Sequence, residues 1–176
     1  DPLLHKKVSL TKKEKSQYAC DVCFVGTLSP NRQEILSELR EFDIKIWGDI
    51  PYEYGLLKEI KYLYQGEAYG EKMVKIFNAA KIILNFQPSD MKKGGNMRTF
   101  EIPGCGAFQL TDKVDTRWFT NGEDIVLFKN KADLKEKIIY FLENEIERKK
   151  IAQIGYLRTQ REHTYEKHFE RLLQTV

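Results

Sequence analysis

Apolar residues along this chain come in short blocks of four to six, separated by stretches in which they recur every three or four positions. The block DVCFVG (21–26) predicts a first strand, and the residues after it, RQEILSELREF, place Ile35, Leu36, Leu39 and Phe42 at helical spacing. IKIWG (44–48) predicts a second strand. The tyrosine-rich segment that follows predicts a helical turn near Leu56 to Ile60 and a short third strand near Tyr62 to Gln65. From Gly70 the pattern is amphipathic again, with Met73, Val74, Phe77 and Ala80 on one helical face. KIILNF, AFQLTD (107–112) and DIVLF (124–128) then predict a fourth, fifth and sixth strand. The rest is helical, with Leu134, Ile138, Phe141 and Leu142 inward and a looser stripe through Ile151, Ile154, Leu157, Tyr165, Phe169 and Leu172. Residues 1–19 show no sustained period and are expected to be a lead-in or the end of an interdomain linker, leaving 20–176 as one α/β domain.

The crossing from the fourth to the fifth strand, KKGGNMRTFEIPGCGAFQLTD (92–112), concentrates the chemistry. In a parallel sheet this loop lies at the carboxyl edge, where a following helix offers free N–H groups to an anion. Gly94 and Gly95 let backbone approach a ligand, Asn96 is an N-cap candidate, and Lys92, Lys93 and Arg98 bring positive charge, which together describe a phosphate cradle. Glu101 stands further into the helix. Its carboxylate suits the vicinal hydroxyls of a ribose, and an i,i+3 ion pair with Arg98 fits the spacing equally well. Gly26 ends the first strand where a ligand would pass close to backbone, with Thr27 and Ser29 as hydroxyl donors, although a simple turn explains one glycine as readily. No G-x-G-x-x-G is present, so the dinucleotide fingerprint is absent.

At 176 residues, 41% hydrophobic and 31% charged, the composition is that of a globular chain. A net charge of +3 suits an anionic ligand and falls short of a nucleic-acid footprint. No stretch reaches the roughly 20 apolar residues that span a bilayer, so a cytoplasmic protein is expected. The chain begins without methionine and reads as a piece of a longer protein. Cys20, Cys23 and Cys105 are expected as reduced core thiols. Cys20 and Cys23 spell C-x-x-C, but within a buried strand residues three apart point to opposite faces, which argues against a metal or redox pair. His163 and His168, five apart, lack the spacing of a helical ligand pair.

Taken in order, DVCFVGTLSPNR, IKIWGD, NMRTFEIPGCGAFQLTD and WFTNGEDIVLF, closing on His163-Thr164-Tyr165, resemble the C-terminal half of GT-B glycosyltransferases, and most of all the group 1 branch with the CgeB-like spore maturation proteins. The resemblance implies a Rossmann-like three-layer domain, with a six-stranded parallel sheet, that binds a UDP- or GDP-linked sugar donor. It assigns Glu101 to the ribose hydroxyls, Gly26 to the diphosphate, and Asn96 and Arg98 to polar contacts before the glutamate. Gly94, Gly95 and Thr27 complete the expected donor site, and Arg98 with Lys93 would stabilise the departing diphosphate without a metal or other cofactor. Lys93 occupies the place where many retaining relatives carry a first glutamate, so their sugar-contacting role does not transfer. Pro103 falls inside the short helix and is expected to bend it. An acceptor-binding domain would precede residue 1. The rival readings are a non-catalytic doubly wound signalling or nucleotide-binding module, disfavoured because the first strand ends in Phe24-Val25-Gly26 instead of an acidic cluster, and a nucleic-acid-binding domain.

Overall fold

The computed structural model of the chain describes residues 1–88 and 94–174. Five strands form one parallel sheet: β1 (Val22–Val25), β2 (Ile44–Trp47), β3 (Ile82–Asn85), β4 (Gln109–Thr111) and β5 (Val126–Leu127), in the spatial order β2-β1-β3-β4-β5. β1 lies between β2 and the central β3, pairing Val22 with Ile44 on one side and with Ile82 on the other. All four residues of β1 and of β3 are buried, as expected of strands covered on both faces.

Alternation within the strands divides the core in two. Val22, Phe24, Ile46, Leu84 and Leu110 point to the side covered by helices α2 (Pro30–Ser37) and α5 (Lys131–Glu143), where Leu36, Leu134, Ile138 and Phe141 meet them. Cys23, Val25, Trp47 and Ile83 point to the other side, against α3 (Gly70–Ala79) and α4 (Arg98–Gly104) through Met73, Phe77 and Ile102. The parallel α/β class is therefore as read from the sequence. Because α2 carries the chain outward from β1 and α3 carries it back across to β3, the direction of winding reverses between β1 and β3. In such sheets ligands bind outside the carboxyl ends of the strands at that reversal.

The sheet has five strands among the described residues, not six. Residues Lys58–Leu63 close a 3-10 turn because Ile60 and Leu63, three apart, are the buried pair, whereas Tyr62 points to solvent. Only Tyr64 joins the sheet, as a single parallel bridge to Ile46. Within residues 1–19, Lys12–Tyr18 forms α1, started by a capping box in which Thr11 and Glu14 satisfy each other's backbone N–H groups. Cys20, Cys23 and Cys105 are free and buried. The first two do not face apart: Cys20 lies before β1 in the same core cluster as Cys23, whose thiol is pushed up first by burial and then by the neighbouring Cys20.

The last third carries α6 (Glu145–Glu162) and α7 (Tyr165–Leu173). Gly155 lets α6 press onto the domain, since a Cβ there would lie 2.4 Å from the Asp124 carbonyl oxygen. α7 has no buried residue and exposes Tyr165, Phe169, Leu172 and Leu173. None of the helices among the described residues is long and apolar enough to cross a membrane.

Candidate functional site

At the reversal, the loops after β1 and β3 form two facing corners. The corner after β1 is shaped by a close backbone contact with the loop after β2. Gly26 N–H donates to the Trp47 carbonyl at 3.0 Å, and a Cβ on Gly48, whose φ is +138°, would fall 1.9 Å from the Gly26 oxygen. Gly48 is thus the position that demands glycine, and Gly26 contributes its backbone. Thr27 is exposed beside it.

Two arginines tie the corners together. Arg98, in the first turn of α4, donates from Nε to the Val25 carbonyl at the end of β1, 3.1 Å away. Arg32, from α2, donates to the Thr27 carbonyl at 3.0 Å and to the Phe86 carbonyl just beyond β3 at 2.6 Å. Burial lowers the Arg32 pKa, and the nearby Asp112 charge acts against that shift. Sequence reasoning gave Arg32 no role. Its single signal was a cation a few residues past the β1 glycine, a place shared by many solvated arginines.

The corner after β3 is a polar network. Asn96 donates from Nδ2 to Asn85 Oδ1 at 2.9 Å and to the Phe86 carbonyl at 3.2 Å, while its own Oδ1 accepts from Thr99 N–H at 3.3 Å. The N-cap of α4 is Met97 and not Asn96 as read from the sequence, but Asn96, one residue earlier, still accepts from the first-turn Thr99 N–H. The buried Gln87 side chain accepts from Asn96 N–H at 2.8 Å and donates to Thr99 Oγ1 at 3.0 Å; its N–H donates to Asp112 Oδ1 at 2.9 Å. Gly94 takes φ +99°, and a Cβ on Gly95 would lie 2.6 Å from Thr99 Oγ1, so both glycines are required by the turn. Lys92 and Lys93 lie outside the described residues.

Asn85, Gln87, Thr99 and Asp112 were missed at the sequence level. The available signal was two amides interrupting the apolar run IILNFQ. Since Gln87→Ala leaves the half-buried Asn96 N–H without its acceptor, we expect the midpoint of urea unfolding to fall by the equivalent of about 1 kcal/mol.

Glu101 is buried, with one oxygen paired and the other beside a histidine nitrogen that makes no hydrogen bond among the described residues. Oε2 pairs with Arg98 Nη1, and Oε1 lies 3.4 Å from His5 Nε2. Burial lowers the His5 pKa, with the Glu101 charge offsetting part of the shift. The Cys105 thiol is pushed up to about 12, first by burial and then by the same carboxylate. Of the two sequence alternatives for Glu101, the ion pair with Arg98 is the one present in the structure.

Glu101 and Asn96 also line a cavity of about 240 Å³ between α4 and the α6–α7 junction. Phe100, Trp118, Phe119 and His163 form one ring cluster at its edge, with centroids 5.1 Å apart for Phe100–Trp118, Phe100–His163 and Phe119–His163. The turn bearing Trp118 and Phe119 is pinned to α6 by the Arg158–Asp124 ion pair at 2.6 Å.

A parallel sheet wound in two directions, with Arg98 and Arg32 bridging the loops at the reversal, defines a Rossmann-like α/β domain. The chain belongs to the glycosyl transferase-like family, whose model matches residues 32–174. The spore protein CgeB of Bacillus subtilis (strain 168) is 28% identical over 178 residues, covering 90% of this chain and 54% of the relative. The chain thus spans about half the length of that relative. Among solved structures, the C-terminal domain of a group 1 family glycosyl transferase (LpcC) from Francisella tularensis matches at TM-score 0.71 and 14% identity, covering 94% of this chain and 98% of that one. Anabaena Alr3699/HepE in complex with UDP-glucose matches at TM-score 0.77 and 14% identity, covering 99% and 54%. Likenesses at that identity establish the fold.

Proposed function

We propose that the chain is the donor-binding half of a glycosyltransferase that moves a sugar from a nucleoside diphosphate carrier, UDP- or GDP-linked, onto an acceptor. What carries the reading is the convergence of Glu101, Arg98 and Arg32 on the β1/β3 reversal in a chain of this family. In this reading Glu101 accepts from the ribose hydroxyls. The backbone of Gly26, Thr27, Gly94 and Gly95, together with Asn96, borders the diphosphate. Arg98, joined by Lys93, takes up the charge that develops as the diphosphate leaves, so that no metal is needed. Arg32 supports both corners from beneath and adds positive potential.

The other half of the relatives' length would supply the acceptor site and the remaining catalytic groups, and the protein would work in the cytoplasm, where nucleotide sugars are made. HepE is described in complex with UDP and with UDP-glucose, which puts uridine nucleotides first in any trial. The test is thermal stabilisation by UDP, GDP, ADP and their sugars at millimolar concentration. A rise in melting temperature with one base and not the others supports donor binding. A flat response across the set would turn the reading toward a signalling module.

A further inference from the structure

We propose that α1 and the segment before it form a basic surface that docks the domain onto a membrane containing anionic phospholipid. Residues 1–19 hold five lysines against Asp1 and Glu14, so the +3 of the whole chain lies entirely in this segment and the remaining residues balance to zero.

Two anchors lay this segment over α3. Asn78 accepts from the Val8 N–H at 3.0 Å through Oδ1 and donates from Nδ2 to the Lys6 carbonyl at 3.1 Å. About one turn earlier on α3, Lys75 pairs with Glu14 of α1 at 2.9 Å. Glu14 and the buried Tyr18 thus face the domain, and helical spacing turns Lys12, Lys13 and Ser16 outward. Lys6, Lys12, Lys13 and Lys15 are exposed, and none of their ammonium groups pairs with a carboxylate among the described residues. Lys131, Lys135 and Lys149, elsewhere on the surface, each have a glutamate partner. Lysines whose charge is not cancelled nearby raise the positive potential that attracts an anionic partner.

The chemistry of the patch selects lipid over nucleic acid. Its cations are all lysines, with no arginine among residues 1–19, whereas paired recognition of phosphates and base edges draws on the guanidinium fork. Beside them Leu3 stands 81% exposed, and Leu3, Leu4, Val8 and Val74 line a groove with Lys6 and Lys75 at its sides. An apolar side chain set among lysines suits a bilayer surface, where the ammonium groups meet headgroups and the leucine enters the acyl boundary. Glu71, also in the groove, opposes the attraction locally. Each free lysine is worth about fivefold in partition and Leu3 about tenfold, which together give reversible attachment. Because α3 lies between the patch and the sheet, attachment there leaves the carboxyl edge of the strands open.

The experiment sediments the chain with vesicles of phosphatidylcholine alone and of phosphatidylcholine with about one-third phosphatidylserine, in low salt and in about 0.5 M salt. Binding is expected with the anionic vesicles only, and to be lost in high salt as the screening length falls to a few ångströms. Lys12→Gln with Lys13→Gln is expected to cut partition about 25-fold and Leu3→Ser about tenfold, with melting temperatures unchanged. Lys131→Gln with Lys135→Gln removes the same charge from α5, on the other face of the sheet, and is expected to change partition by no more than about twofold. Equal losses from the two double variants would show attraction to net charge without a docking surface and overturn the proposal. Absence of binding, or equal binding to both kinds of vesicle, would overturn it as well. A generic oligonucleotide at equal phosphate concentration is expected to leave the chain on the vesicles; if it strips the chain off, the patch is a nucleic-acid surface and the membrane proposal falls. Every one of these results leaves donor binding standing, because the nucleotide panel reads a different part of the molecule.

Discussion

Glu101→Gln is expected to weaken nucleoside diphosphate binding about thirtyfold while leaving the fold nearly intact. The amide keeps an acceptor for Arg98 Nη1 and fills the same buried space, so neither the core nor the end of β1 is disturbed. What it loses is charge. Hydrogen bonds from ribose hydroxyls to a carboxylate are worth about twice those to a neutral acceptor, a difference of about 2 kcal/mol for a pair. Loss of the half-buried ion pair with Arg98 should lower stability by only about 1 kcal/mol, because Arg98 remains a quarter exposed and can be hydrated. Calorimetric titration with UDP or GDP beside a melting curve separates the effects. An unchanged affinity with a lower melting temperature would leave Glu101 as a structural partner of Arg98 and nothing more.

Gly48→Ala should be the most damaging single methyl in the chain. The new Cβ would sit 1.9 Å from the Gly26 oxygen and 2.6 Å from its carbonyl carbon, and the residue already holds a φ of +138° that side chains resist. Backbone cannot swing aside as a lysine tip can, so the ends of β1 and β2 must separate. We expect a loss of about 3 kcal/mol or more, and a melting temperature lower by roughly 6–12 °C. Gly55→Ala is the matched control: φ is +64° there, with nothing within 4 Å of the added carbon, so about 1 kcal/mol is expected. Equal effects at both positions in differential scanning calorimetry would discredit the steric argument.

The comparison of these glycines shows what the sequence could and could not disclose. Strand positions were legible because a strand buried on both faces must be apolar throughout, and β1 and β3 are. The segment at 58–65 was misjudged because two tyrosines at alternate positions mimic a strand, whereas burial follows the i,i+3 pair Ile60 and Leu63. Helix α1 escaped notice because seven residues are too short for a period; its capping box was the mark to look for. Within the candidate site, Glu101, Arg98 and Asn96 stood out as charged or amide groups in a glycine-rich loop. Arg32, Gln87 and Gly48 did not, because their roles lie in contacts with backbone far off in sequence, to Phe86, Asn96 and Gly26, which no local pattern encodes.

The two arginine ties at the crevice also bear on how the molecule breathes. Arg98 reaches Val25 across 73 positions of chain and Arg32 reaches Phe86 across 54, so no short contiguous fragment holds both corners at once. Occupancy of the crevice is then linked to the whole domain being closed, and a bound ligand should slow hydrogen exchange throughout the central strands, far beyond the amides it covers. Amide protection along β1 and β3 would serve as a gauge of saturation even for a ligand whose own contacts are few.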